Sequence, residues 1–331
     1  MSERTISRPS SIYEPPKLAV EGEIVSKAEI EYFKEHGFLF KRGLIERGAV
    51  ANALERAWDS LIETVPPSKE SDWELKRDDP MTWRAPQWSK LPPADKSGPF
   101  EGRQRTVAQG RGVKMHEIGN QQFLLDLVPN HPKIREIART LLADRLKKSE
   151  RTRGIYAIFP AAQLSAEEIK QRLGGASLGP HTDRVCQQLN ACVYLNDVPP
   201  RSGGFTVYPG SHRIMFQAHR FESNWSPTDT FGDAMRKVVS TITPVEFVGN
   251  QGDVVFWHGR TVHTAGVHVG EAIRWAVFAD FTEDREILDA DAHRELGLYE
   301  WFKDAKMFKS DLEVTDDMWR SWRLGAPAQD R

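Results

Sequence analysis

A chain of 331 residues with 39% apolar and 28% charged residues has enough hydrophobic mass for a sizeable core and enough charge for a well-solvated surface. Its formal net charge of -2 and pI near 6.6 supply no global field for nucleic acid or an anionic membrane, so neither is expected as a partner. Two cysteines, Cys186 and Cys192, make no disulfide framework, and no apolar run is long enough for a span, so the chain reads as cytoplasmic.

Residues 1–23 are polar and proline-bearing and read as a mobile tail, while residues 24–331 read as one domain without a Gly/Ser linker. Ser26-Lys27-Ala28-Glu29 is a capping-box signal, Ile30 and Phe33 follow at helical spacing, and Gly37 ends the helix. Phe38-Leu39-Phe40 suits a short strand. After Arg42-Gly43, the stripe Val50, Leu54, Ala57, Trp58, Leu61 and Ile62 predicts a second helix that Pro66-Pro67 stops.

Between residues 64 and 120 the periodicity fails. Trp73, Trp83 and Trp88 stand among Pro, Asp, Lys and Gly, and a basic run, GRQRTVAQGRGVK, fills residues 102–114. Such a segment is either a functional lid or a packed peripheral loop. As a lid it offers substrate contacts through the three tryptophans and through Arg103, Arg105 or Arg111. Pro132 then opens a helix with the stripe Ile134, Ile137, Ala138, Leu141 and Leu142. After residue 150 the character changes. RGIYAIFP, LNACVYLNDV, GGFTVYP, ITPVEFVG, DVVFWHG and RWAVFADF are short β-prone runs between turn residues, which predicts an antiparallel β core with helices outside it, a sandwich or jelly roll.

His181 and Asp183 stand at the mouth of one of those runs, where residues two apart share a face and converge on one point. With 10 histidines and many carboxylates in the chain, that pair alone is weak evidence. His293-Arg294-Glu295 lies in a helix-like stretch, where residues two apart diverge, and reads as a solvated face. The complement to the pair is GDVVFWHGRTVHTAGVHVGEAIRWAVFADF, residues 252–281, in which a strand is expected to end at His263 and the next to begin at Arg274, both facing one cavity. Two imidazoles and a carboxylate with three open positions form the facial triad that holds non-haem Fe(II), and His181, Asp183 and His263 fill it. His258, His268 and His212 read as structural or supporting. Asp253 and Asp197 read as turn caps.

His181-Thr182-Asp183, Gly203-Gly204 running into Pro209-Gly210-Ser211-His212, the run GDVVFWH at 252–258, His263, and Arg274 eleven residues later resemble the phytanoyl-CoA dioxygenase-like branch of the Fe(II)/2-oxoglutarate-dependent oxygenases. The helical opening VSKAEIEYFKEHGF is also similar, so the resemblance runs from about 24 to 285. It implies a double-stranded β-helix with His181, Asp183 and His263 as iron ligands, and Arg274 pairing the distal carboxylate of 2-oxoglutarate. O2 takes the position left over, and CO2 and succinate leave as co-products. An arginine's planar fork matches a carboxylate as a lysine cannot. Tyr156 either touches the cosubstrate or is a core tyrosine. Pro180 departs from the family's usual pattern but suits an extended strand mouth. The carboxylate at Asp183 disfavours the halogenating variant, which needs that position free for chloride.

The expected activity is hydroxylation of a small organic molecule, with desaturation or cyclisation as variants. The alternatives are a cupin-like module that binds metal or sugar without turnover, for which Arg274 has no use, and an acyl-CoA hydroxylase with the 102–114 basic run as its diphosphate clamp.

Overall fold

In a computed structural model, which describes residues 9–64, 74–84, 106–109, 112–160, 179–183, 188–220, 230–284, 316–320 and 322–326, Ser26 starts the first helix as its sequence dictates. Its side chain accepts from the Glu29 N–H, and Glu29 accepts in return from the Ser26 N–H at 2.9 Å. Gly37, at φ +80°, closes the helix in the left-handed conformation that glycine tolerates. Ser26→Ala should therefore destabilise the fold by about 1 kcal/mol. The check is a denaturant titration, where the midpoint falls at unchanged slope; an unmoved midpoint contradicts the capping account.

The described helices are α1 Lys27–His36, α2 Arg47–Thr64, α3 Gln122–Leu127, α4 Pro132–Leu141, α5 Ser211–Ala218 and α6 Thr230–Thr241. The strands are β1 Ser11–Ile12, β2 Phe38–Lys41, β3 Thr106–Gln109, β4 Gly112–Met115, β5 Ile155–Ile158, β6 Gln188–Tyr194, β7 Phe205–Val207, β8 Val245–Glu246, β9 Val254–His258, β10 His263–Ala265 and β11 Arg274–Thr282. They form a seven-stranded sheet ordered β2-β9-β6-β11-β5-β4-β3 and a four-stranded sheet ordered β1-β8-β7-β10. All pairings are antiparallel except β1 with β8, and the two sheets make the jelly roll expected from the sequence.

Alternation along the strands divides the core in two. Leu189, Ala191 and Val193 of β6, Val254 and Phe256 of β9, and Trp275, Val277 and Ala279 of β11 join the apolar stripes of α1, α2 and α4 on the outer face of the larger sheet. Cys192, Tyr194, Val255, Trp257, Ala276 and Phe278 point the other way, toward Phe205, Val207 and Phe247 beneath the smaller sheet. The candidate site lies at one end of this inner layer. Among the described residues no helix is long and apolar enough to cross a membrane.

Several expectations need correction. The tail is anchored from Ser11, because β1 pairs with β8 and Tyr13 packs edge-on against Phe38 and Phe40. Ile62 is not in the buried stripe of α2 but 41% exposed, since it falls one position past Leu61 on the helical wheel. The 64–120 stretch is not uniformly irregular. Its last part forms β3 and β4, which extend the larger sheet beside β5. Residues 213–240, which carry no strand signal, contain most of α5 and all but the last residue of α6.

Candidate metal centre

His181 and His263 are held face to face by the backbone: each N–H donates to the other's carbonyl, at 3.1 and 2.9 Å. Two residues on, the Asp183 N–H donates to the Gly259 carbonyl at 3.0 Å, so the turn that follows β9 fixes the carboxylate as well. One nitrogen of each imidazole and one oxygen of Asp183 lie within 4.8 Å of one another, and among the described residues this is the one cluster of three such groups. His263 Nε2 stands 3.5 Å from Asp183 Oδ2, and the two imidazole centres are 4.3 Å apart.

The tautomers follow from the partners. His181 Nδ1 lies 2.9 Å from the Gly179 carbonyl and His263 Nδ1 lies 3.0 Å from the Thr261 carbonyl. A carbonyl only accepts, so each Nδ1 carries hydrogen and each Nε2 keeps a lone pair for a metal. Burial pushes the His263 imidazole down to about 3 against the opposing pull of Asp183, and burial lowers His181 as well, so both rings are neutral ligands at pH 7.

Asp183 keeps its charge for a different reason. Burial works to raise its carboxyl, but the Arg153 guanidinium, with His263 and His181, outweighs burial and holds it well below the usual carboxylate range. Arg153 Nη1 donates to Oδ1 at 2.8 Å and Trp257 Nε1 donates to Oδ2 at 2.9 Å. Arg153 also reaches Asp280 through Nε and Asn190 through Nη2, each at 2.7 Å.

Further along the inner face, β11 contributes Arg274. It is 2% exposed, its Nε donates to the Gly203 carbonyl at 2.8 Å, and its buried Nη1 has no hydrogen-bond partner among the described residues. Burial lowers this guanidinium's proton affinity, and Cys192, Tyr194 and Glu246 only partly offset it. On β4, Lys114 sits over the Tyr156 ring of β5, Nζ 4.8 Å from its centre. Burial first, then Arg153, push the Lys114 amine down to about 8, with Asp183 opposing. Tyr156 lies between Lys114 and Phe278 of β11, 4.7 Å from the latter's ring.

The depressed Lys114 amine predicts a stability effect of definite sign. Its charged form is disfavoured in the folded chain, so destabilisation grows as pH falls from the unfolded value near 10.5 and is complete below about 8. Lys114→Met should therefore stabilise the metal-free protein at pH 7 by on the order of 2–3 kcal/mol. The gain should shrink at pH 9.5. Thermal unfolding at the two pH values checks this, and an equal or opposite gain at pH 9.5 contradicts it.

The structure sorts the remaining expected residues. β9 ends at His258, and His263 instead opens β10 of the smaller sheet, so His263 and Arg274 belong to opposite sheets and not to adjacent strands as expected. His258 stacks on Trp322 at 5.0 Å and faces His212 at 5.5 Å, apart from the metal cluster. His268 Nε2 meets the Ala272 carbonyl at 2.7 Å. Asp253 accepts from the Gly43 and Asn250 N–H groups and Asp197 from Gln251, all turn contacts. Trp83 packs on Trp58 at 5.5 Å, and Trp58 on Trp275 at 4.9 Å. Trp275 points to the outer face while its neighbour Arg274 points inward, so the larger sheet separates Trp83 from the centre and a substrate role does not fit it. Trp73, Trp88, Arg103, Arg105, Arg111, His293 and Cys186 lie outside the described residues.

Arg153, Lys114, Asn190, Trp257 and Asp280 are site residues that the sequence alone does not single out. The signal for two of them is a polar residue at an inward position of an apolar run, Asn190 in QLNACVY and Asp280 in RWAVFADFT. Core strands bury such groups only when they are paired.

A jelly roll with two imidazole nitrogens and one carboxylate at its mouth defines a non-haem metal site. The donors fit a first-row divalent ion: borderline nitrogen and hard oxygen, two fixed lone pairs, and no fourth protein ligand in the cluster. The unpartnered Arg274 Nη1 is a buried cationic donor on the inner face of the larger sheet. The chain belongs to the phytanoyl-CoA dioxygenase (PhyH) family, whose profile matches residues 33–276. It is thereby an Fe(II)/2-oxoglutarate-dependent oxygenase.

Solved structures similar to it include the non-heme alpha ketoglutarate dependent carbocyclase SnoK from nogalamycin biosynthesis (18% identity, 78% of this chain and 84% of that chain, TM-score 0.47). EctD from S. alaskensis with bound Fe is 14% identical over 98% of this chain and 94% of that chain, with a TM-score of 0.47. AviO1 from Streptomyces viridochromogenes Tue57 is 19% identical over 78% and 94%, with a TM-score of 0.45. No curated protein matches the chain.

Proposed function

We propose that His181, Asp183 and His263 hold Fe(II), that Arg274 seats the distal carboxylate of 2-oxoglutarate, and that the enzyme hydroxylates a small organic molecule. The observation that carries this reading is the buried, half-satisfied guanidinium of Arg274, which lies over the Phe278 ring, with Phe278 against Phe205 and Phe205 against His263 of the cluster. A buried cation that no carboxylate hydrogen-bonds is strongly disfavoured unless an anion arrives to pair with it. A module that merely binds metal or sugar has no use for such a group.

When bound, Fe(II) and 2-oxoglutarate supply the redox chemistry, in which R–H, O2 and 2-oxoglutarate give R–OH, succinate and CO2. The chain's residues do the rest. Arg274 offers a planar fork that fixes the direction of the cosubstrate, with Nε already tied to Gly203 so that the fork cannot swing. Lys114 adds a second positive charge on the same inner face, favourable to a dianion, and Tyr156 lies against it as a cosubstrate wall. Phe205, 5.3 Å from the His263 ring, and Phe278 keep the chamber apolar, which strengthens the charge pairing and keeps stray water from the oxidant.

The test is succinate formation with Fe(II), ascorbate and 2-oxoglutarate, first alone and then with a panel of amino acids, phosphonates, acyl-CoAs and polyketide-like acids. The reading predicts slow iron-dependent succinate that one class of compound accelerates. No succinate under any condition, with the metal bound, contradicts it.

A further inference from the structure

Asp183 is the one carboxylate of the cluster, and its two oxygens have different partners. Oδ2 accepts from Trp257 Nε1 and is the oxygen 3.5 Å from His263 Nε2. Oδ1 accepts from Arg153 Nη1. The arginine cannot follow if the carboxylate turns. Its Nε and Nη2 are fixed to Asp280 on β11 and Asn190 on β6, and Asn190 in turn accepts from Gln188 Nε2. Its backbone N–H donates to the Phe278 carbonyl at 2.7 Å. The next residue, Gly154, sits at φ +83° so close to β4 that a Cβ there would meet the Met115 carbonyl oxygen at 2.0 Å. Arg153 is thus immobilised at both ends, and its planar fork leaves Nη1 one direction to point.

We propose that Arg153 is a positioning residue that keeps Asp183 a one-oxygen ligand and so keeps three coordination positions free. The proposal rests on the ligand assignment above. Its force lies in counting. A six-coordinate ion with two imidazoles and one carboxylate oxygen has three positions left, two for the 2-oxo acid end of the cosubstrate and one for O2. A carboxylate free to offer both oxygens would take a fourth position and leave too few. Arg153, itself fixed by Asp280 and Asn190, holds the carboxylate's rotation with Oδ1 turned to the guanidinium, whereas the Trp257 bond leaves Oδ2 a second lone pair for the ion. Charge alone does not explain the choice of residue, since a lysine would neutralise Asp183 and Asp280 equally well. What lysine lacks is the fork that reaches Asp183, Asp280 and Asn190 at once.

Arg153→Lys separates geometry from charge, Arg153→Met removes both, and Asp280→Asn loosens one arm while leaving Nη1 on Asp183. Each protein is loaded with Co(II) without oxygen. Calorimetry gives the Co(II) and 2-oxoglutarate affinities, and the visible Co(II) spectrum reports coordination. The expected result for Arg153→Lys is Co(II) affinity within about threefold of wild type, a changed spectrum before cosubstrate is added, and at least tenfold weaker 2-oxoglutarate binding. Asp280→Asn should fall between, and it carries the test if both arginine variants fail to fold.

Wild-type spectra and 2-oxoglutarate affinity in Arg153→Lys would overturn the proposal. So would parallel loss of Co(II) and 2-oxoglutarate binding in a folded variant, which would mark Arg153 as a structural support only. Failure of the wild-type protein to bind Co(II) would strike at the ligand assignment itself and take this proposal with it.

Discussion

Alanine at Asp183 or at His263 is expected to abolish iron-dependent succinate formation and to weaken metal binding by more than about a hundredfold, the upper figure even for an outer partner of a metal ligand. The fold should survive. After Asp183→Ala, Arg153 keeps Asp280 and Asn190, so its guanidinium is not left unpaired. After His263→Ala, the bridge to His181 persists, because it is made by backbone atoms. Metal titration, succinate assay and far-UV circular dichroism on the same preparations give the answer. A variant with a native spectrum and near wild-type activity would remove that residue from the ligand set.

Arg274→Gln should raise the apparent constant for 2-oxoglutarate by ~30- to 1000-fold, the equivalent of about 2–4 kcal/mol for a lost charge-assisted, two-point pair. Metal affinity should barely change, since Arg274 lies at the far end of β11 from Asp280, the residue tied to the ligand network. Lysine should rescue only in part, because an ammonium cannot both bond Gly203 and present a fork. A shift under threefold in Arg274→Gln would show that the cosubstrate's distal end is held elsewhere.

The sequence made legible what depends on local chemistry or on alternation. The capping box at Ser26, the left-handed Gly37 and the stripe of α4 are local, and the structure places them as expected. So are the short β-prone apolar runs of β6, β9 and β11, which are enough to foresee an antiparallel β core. His181, Asp183 and His263 stood out because two short motifs converge only if strands bring them together.

The unread part depends on which strand sits beside which. Nothing local says that His263 starts a strand of the smaller sheet while Arg274 starts one of the larger. Nothing local says that Arg153, some 30 residues before Asp183, closes onto it, since that contact is set by the pairing of β5 with β11. Lys114 was hidden for another reason. It lies in a basic run that reads as a lid or a peripheral loop, and only the pairing of β4 with β5 turns it inward over Tyr156. Trp83 misled in the opposite direction, because an aromatic in an irregular stretch serves a core as well as a lid.

An anaerobic titration of the wild-type chain, first with Fe(II) and then with 2-oxoglutarate, beside His263→Ala, tests directly whether this site holds the metal and the cosubstrate. The expected result is one Fe(II) per chain, one 2-oxoglutarate that binds tightly only after the metal, and loss of both in the variant. Fe(II) binding of wild-type strength in His263→Ala, or 2-oxoglutarate binding indifferent to the metal, would contradict it.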